Sequence, residues 1–319
     1  MPVVPANEQT IAQAAERLRA GLLVAFPTET VYGLGADATN GAAVAGIFAA
    51  KNRPRFNPLI VHVPDMAAAE RLVVFCNVSR ALAAAFWPGA LTLVLPKRPG
   101  CPIADLTTAG LDTLAVRVPS HPLAVRILLV AGVSVAAPSA NRSGHVSATE
   151  AAHVAADLSG VDVLIVDGGA APLGVESTVV TVHDGRVVVL RPGGVTAEAI
   201  EQVTGQPVER SLHGGAQPTS PGQLASHYAP RAALRLDATS VAPDEALMAF
   251  GPDVPQHAGP SVNLSPHGDL KKAAANLFAA LRTLDASGAS TIAVMPIPHA
   301  GLGEAINDRL QRAAAPRDA

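Results

Sequence analysis

Two hydrophobic periods organise this chain. Ile11, Ala14, Ala15 and Leu18 share one face of a helix that Asn7 can cap and Gly21 can stop. LLVAF (22–26) follows as a short unbroken apolar run, the mark of a buried strand. The alternation continues, with helical patterns at 41–50, 66–74, 78–86, 121–132 and 149–158. Strands are expected at 59–63, 91–95, 114–118, 133–137 and 163–167. STVVTVHDGRVVVLRPGG (177–194) reads as a hairpin turning at Asp184-Gly185, with a short helix from about Thr196. PTETVYGLGAD (27–37) and PSANRSG (138–144) read as loops.

Periodicity disappears over 206–232, where Gly, Pro, Ser and His collect, and returns beyond it. Strands near 233–236, 247–250 and 291–295 then alternate with helices at about 268–286 and 302–314. The expected organisation is an α/β unit over 1–207, a linker over 208–232 and a small α/β unit over 233–319.

Composition narrows the class. At 319 residues and 49% hydrophobic the chain can bury a substantial core. Its longest apolar stretch, Ile127–Ala137, is broken by Gly132 and Ser134 and is too short for a bilayer. MPVVPANEQT has no charged n-region or apolar h-region. Two cysteines make neither a disulfide framework nor a cysteine zinc site. The expectation is a soluble, cytoplasmic protein without a membrane partner. A net charge of −3 and 3% aromatic residues disfavour a general nucleic-acid coat, so any polyanion site is local.

That locality has an address. KNRPRFNPLIVH (51–62) puts Lys51, Arg53 and Arg55 on alternate residues of a chain with four lysines, and no acid occurs between Asp37 and Asp65. Such a cluster binds phosphates by charge-assisted hydrogen bonds, or else forms a solvated turn at a helix C-terminus. The run Gly33-x-Gly35-x-x-Ala38 nearly matches a dinucleotide fingerprint. However, Pro27-Thr28-Glu29-Thr30 separates it from the strand and the distal acid is missing. The glycines are better explained by close approach of a ligand or a neighbouring strand. Thr28, Glu29 and Thr30 then lie just past a strand end, where α/β sheets keep their sites. Ser139, Asn141 and Ser143 suit a turn or a phosphate cradle. Arg117 stands inside an apolar strand, where a cation needs a partner: a substrate carboxylate or a buried Asp. Arg191 ends a strand before Pro-Gly-Gly, and His227-Tyr228 is a defined segment between prolines. No lysine is followed by Ser or Thr, and there is no G-x-S-x-G, H-E-x-x-H or CxxC.

PTETVYGLGADA, Lys51-Asn52-Arg53, NPLIVHV, Ser139-Ala140-Asn141, ESTVV and LRPGG occur in one order along the chain. In that order they resemble the YrdC-like family of L-threonylcarbamoyladenylate synthases. SPGQLASHYAP (220–230) and GLGEAINDRLQRA (301–313) resemble its long, two-domain form. The resemblance implies a twisted mixed sheet with flanking helices, followed by a small Rossmann-like α/β domain. It implies that L-threonine, bicarbonate and ATP, with Mg²⁺, become threonylcarbamoyl-AMP and pyrophosphate. The product would feed modification of tRNA position 37 through a downstream threonylcarbamoyl transferase machinery, with a weak RNA contact. Carried over by motif, Lys51 and Arg53 would contact phosphates as the catalytic cations. Asn57, Ser139, Asn141 and Arg191 would complete the ATP site with Thr113, Ser147 and Tyr228. Thr30, His62, Arg117 and Ser177 would hold threonine. The linker would close over the site as a lid, although Gln223-Leu224-Ala225-Ser226 departs from the basic, aromatic run expected before HYAP.

Three other readings compete. A carbamoyl-phosphate maturation factor would carry Cys-rich fingers, which two cysteines disfavour. A double-stranded RNA-binding module would read shape through a basic concave face. A regulatory protein would bind ATP or threonine without turnover.

Overall fold

The computed structural model describes residues 3–54, 56–211 and 227–316. Its first elements in chain order are β1 (Val3–Pro5), α1 (Glu8–Arg19), β2 (Leu23–Pro27), β3 (Tyr32–Asp37), α2 (Gly41–Lys51) and β4 (Ile60–His62). They continue as α3 (Met66–Glu70), α4 (Asn77–Phe86), β5 (Leu91–Pro96), α5 (Asp105–Thr108), β6 (Thr113–Arg117), α6 (Pro122–Ala131) and β7 (Val135–Ala136). Next come α7 (Ala151–Asp157), β8 (Val163–Asp167), β9 (Thr178–His183), β10 (Arg186–Arg191), α8 (Ala197–Thr204) and β11 (Glu209–Arg210). The last are β12 (Ala233–Arg235), β13 (Ala246–Ala249), β14 (Ser261–Asn263), α9 (Leu270–Ala286), β15 (Thr291–Val294) and α10 (Leu302–Ala314).

Among the described residues, the first eleven strands form one mixed sheet in the order β1-β8-β2-β3-β7-β4-β6-β5-β9-β10-β11. Alternation along β2 shows how helices coat both faces. Val24 and Phe26 join Leu18, Ile127 and Leu128 under α1 and α6. Leu23 and Ala25 join Val44, Ile47 and Leu82 under α2 and α4. As the pattern predicts, Asn7 caps α1, its side chain accepting from the Thr10 amide at 2.8 Å. The hairpin turns at Asp184 (φ 49°) and Gly185 (φ 77°), with His183 opposite Arg186.

The stretch 27–37 departs from expectation. Only its first part is a loop; Tyr32–Asp37 is a buried strand antiparallel to β2, with Val24 opposite Gly35. A Cβ on Gly35 would lie 2.7 Å from Phe26 Cε1 and 2.9 Å from Val135 Cγ1. The glycine therefore serves a neighbouring strand, and a glycine-bearing strand looks like a loop from its residues alone.

A second sheet is entirely parallel, in the order β12-β15-β13-β14. It packs on α9 and α10 through Met248, Leu277, Phe278, Leu281 and Leu310. The same cluster takes in Val31, Val146 and Val175 from loops of the first sheet, so the two units share apolar contacts. Strands β1, β11 and β14 and helix α5 were not expected from the sequence; each spans only two to four residues, and β11 pairs with β10 where the linker was expected to begin. The α/β class, the mixed sheet and the small second unit are as anticipated. Among the described residues, no helix is long and apolar enough to cross a membrane.

Candidate functional site

A cavity is lined by Thr28 and Thr30 of the loop after β2, by Ile60 and His62 of β4 and by Arg117 at the end of β6. Parallel pairing of β4 with β6 brings His62 opposite Arg117. The loop after β2 supplies Thr28 and Thr30, and the approach to β9 supplies Glu176 and Ser177.

At one end Arg117 is buried and bonded through each of its three nitrogens. Its Nη1 donates to Thr30 Oγ1 at 3.0 Å, its Nη2 to Glu29 Oε1 at 2.5 Å and its Nε to the Gly89 carbonyl at 3.2 Å. The partner its strand setting demanded is thus an acid of this chain. Burial pushes the Glu29 carboxyl up, but Arg117 and the Ser120 amide outweigh it and hold the group below its usual value. Thr28 and Thr30 share a hydrogen bond of 2.7 Å between their hydroxyls. Burial, with Arg117 adding to it, pulls the His62 pKa down to about 3, so the ring is neutral. Its Nδ1 is buried without a partner. Ser177 Oγ lies 2.8 Å from Thr92 Oγ1.

At the other end are Arg53 and Arg191. Arg53 donates from Nη2 to the Pro58 carbonyl at 3.2 Å, while its Nε is buried and unpartnered. Burial lowers its pKa to about 10, which leaves it a cation at neutral pH. Arg191 donates from Nε and Nη2 to the Ser177 carbonyl at 3.2 and 2.8 Å. Gly193 makes this closeness feasible, since a Cβ there would lie 2.4 Å from the Glu176 carbonyl oxygen. Ser139 and Tyr228 complete this side of the lining. Tyr228 has φ 63°, an uncommon backbone for a tyrosine, and its buried hydroxyl has no partner.

Eight of the anticipated residues therefore meet at one cavity: Thr30, Arg53, His62, Arg117, Ser139, Ser177, Arg191 and Tyr228. Five do not line it. Lys51 is buried at the end of α2, and its Nζ donates to the carbonyls of Ser139, at 2.6 Å, and Asn141. Burial, reinforced by Arg53, lowers its pKa. Its placement is that of a brace for the 139–141 loop. Asn57 and Asn141 are buried with unpartnered Oδ1 atoms, and the Asn141 amide donates to the Arg142 and His145 carbonyls. Ser147 donates to Glu176 Oε1 at 2.5 Å. Thr113 begins β6, whose other end carries Arg117, and is set opposite Pro96. Arg55 and linker residues 212–226 lie outside the described residues.

Thr28 and His227, singled out by their motifs but given no role, also line the cavity, as does Glu176, which was not anticipated. Burial pushes the Glu176 carboxyl up, yet Arg309, Arg191 and Ser147 bring it down to about 2. A single acid in the apolar run GVESTVV was the available signal. His227 is neutral, its pKa lowered by burial to about 3.

Residues 16–193 match the Sua5/YciO/YrdC family model, described as "Telomere recombination". The chain belongs to the Sua5/YciO/YrdC family. Residues 195–315 match a second model, described as the C-terminal domain of threonylcarbamoyl-AMP synthase. The threonylcarbamoyl-AMP synthase of Bacillus subtilis is 42% identical over 334 residues, covering 98% of this chain and 94% of its own length. That of Schizosaccharomyces pombe is 36% identical over 351 residues, covering 92% and 85%. The crystal structure of P. abyssi Sua5 complexed with L-threonine superposes with a TM-score of 0.88 at 35% identity, covering 98% of each chain.

Proposed function

We propose that this Sua5-family chain is a cytoplasmic L-threonylcarbamoyladenylate synthase, a nucleotidyltransferase that makes threonylcarbamoyl-AMP and pyrophosphate from L-threonine, bicarbonate and ATP. One observation carries the reading. A single cavity joins an end built for a small zwitterion, with Arg117, Thr30 and Ser177, to an end with buried cations, Arg53 and Arg191.

The amine of threonine and bicarbonate condense to a carbamate with loss of one water, and a carbamate oxygen attacks the α-phosphorus of ATP. The bond from the α-phosphorus to the α,β-bridging oxygen breaks, and pyrophosphate leaves with that electron pair. Such a reaction needs alignment and charge stabilisation more than a protein nucleophile. Arg117 takes the threonine carboxylate by exchanging Glu29 for it, and Thr30 and Ser177 orient the rest. Arg53 and Arg191 meet the phosphates, where the spare Nε of Arg53 is a ready donor. Lys51 acts one step back, fixing the Ser139–Asn141 loop. ATP would arrive with magnesium, an ion held mainly by substrate phosphates. The inward burial of Lys51 and Arg53 argues against a basic RNA-reading face at this stretch.

The test is pyrophosphate release from ATP and Mg²⁺, with threonine or bicarbonate omitted in turn. Release that needs both, with threonylcarbamoyl-AMP detected by mass spectrometry, supports the synthase. ATP binding without release under any condition overturns it in favour of a regulatory binder.

A further inference from the structure

Arg309 belongs to α10 of the second unit, yet its side chain is wholly buried beside the cavity of the first. Its Nε donates to Glu176 Oε2 at 2.8 Å and its Nη1 to Asp308 Oδ2 at 2.6 Å. Its Cζ lies 5.1 Å from the centroid of the Tyr228 ring, and Nη2 is buried without a hydrogen-bond partner. Glu176 and Tyr228 both line the cavity. Phe278 of α9 stacks on the Tyr228 ring, with centroids 5.5 Å apart. The other Glu176 oxygen is taken by Ser147. From α9, Arg282 donates to the carbonyls of Val146 and Ser147 and pairs with Asp157. The hydrogen bonds to the Glu176 carboxylate and the stacking and cation contacts on the Tyr228 ring thus lead to the second unit or to a loop it grips.

We propose that Arg309 is a positioning residue that completes the phosphate end of the cavity from the second unit, acting through Glu176 and Tyr228. The proposal rests on the reading that ATP phosphates lie against Arg53 and Arg191. A carboxylate beside that site opposes a polyanion unless it is neutralised and fixed. Arg309 does both, and its planar fork serves Glu176 and the aromatic ring together, which an ammonium does not. Without it, Glu176 is left to compete for Arg191, its other cationic neighbour. The amino-acid end has its own acid, Glu29, and receives no hydrogen bond or ion pair from Arg309.

The experiment uses the full chain with Arg309→Met, Arg309→Lys, Glu176→Gln and the Arg309→Met/Glu176→Gln pair. It reads KM for ATP and for threonine by pyrophosphate release, ATP and L-threonine affinities by calorimetry, and thermal melting. Arg309→Met is expected to raise the KM for ATP about tenfold or more, and that for threonine by less than about twofold. Arg309→Lys recovers only part, because it restores the charge without the fork. The paired variant is expected within about threefold of Glu176→Gln alone, since no carboxylate remains at 176 to be stranded. It carries the test if Arg309→Met does not fold. Unchanged constants, or both KM values rising together in step with lost stability, overturn the proposal. Failure of the synthase reading shows itself separately, as a wild type that releases no pyrophosphate; calorimetric ATP affinity then decides Arg309 alone.

Discussion

The two ends of the cavity hold their arginines in opposite conditions. Arg117 has a protein partner on each of its three nitrogens: a hydroxyl, a carboxylate and a carbonyl. Arg53 donates to one carbonyl and keeps a buried Nε spare. An arginine already paired with a carboxylate favours a ligand that can take the place of that carboxylate, so it discriminates by the geometry of the incoming group. An under-satisfied buried cation has no such requirement and gains from any anion that reaches it. The first suits a particular amino acid, the second a phosphate chain. The contrast also explains why Glu29 is held ionised, since a neutral Glu29 would strand Arg117.

The largest effect is expected where nothing substitutes for the lost cation. Arg53→Ala should cut pyrophosphate release by about 100-fold or more, as removal of a charge-stabilising donor does. Arg53→Lys should retain a minor part of the rate. Steady-state rates at saturating threonine check this, and an unaltered rate would move the phosphate end elsewhere. Arg117→Lys comes next. It keeps charge but loses the fork, so KM for threonine should rise about tenfold or more while ATP affinity holds. A comparable loss for both substrates would erase the distinction between the ends.

How much of this was legible from residues alone follows the range of the interactions. Elements set by local periodicity and caps, such as α1 with Asn7 and the hairpin at Asp184-Gly185, were readable because the deciding contacts are few residues apart. Strand β3 was not, because the need for Gly35 comes from Phe26 and Val135 on neighbouring strands. The site divides in the same way. Arg53, Arg117 and Arg191 announced themselves as cations in apolar or proline-bounded settings. Lys51 looked like a phosphate ligand, yet its ammonium is committed to the carbonyls of Ser139 and Asn141, 88 and 90 residues away. Arg309 carried no local sign at all, sitting in an amphipathic helix 133 residues from its partner Glu176.

Acid should blunt the contrast between the ends more gently. His62 and His227 have folded pKa values near 3, below their usual 6.5. Below pH 6.5 the unfolded chain therefore binds protons that the folded chain refuses, and stability falls from there towards pH 3. Glu176, held at about 2 against a usual 4.5, adds a loss of the same sign at lower pH, between those values. Urea midpoints should drop steadily from pH 7 to pH 4, with a shallower slope in His62→Gln; a flat profile would show that burial does not hold these rings neutral. The smallest effect is a control remote from both ends. Asn7→Ala should lose about 1 kcal/mol of stability by removing the α1 cap, with wild-type pyrophosphate release. A change in rate there would mean that the cavity responds to general loosening, not to its own charges.

The division of the cavity is tested most directly by calorimetric titration of L-threonine and of ATP, each alone, into wild type and Arg53→Ala. The account predicts that the variant loses detectable ATP binding while its affinity for threonine stays within about twofold of wild type, as independent sites require. Parallel loss of both affinities would contradict it, and would make Arg53 a support of the whole cavity instead of its phosphate end.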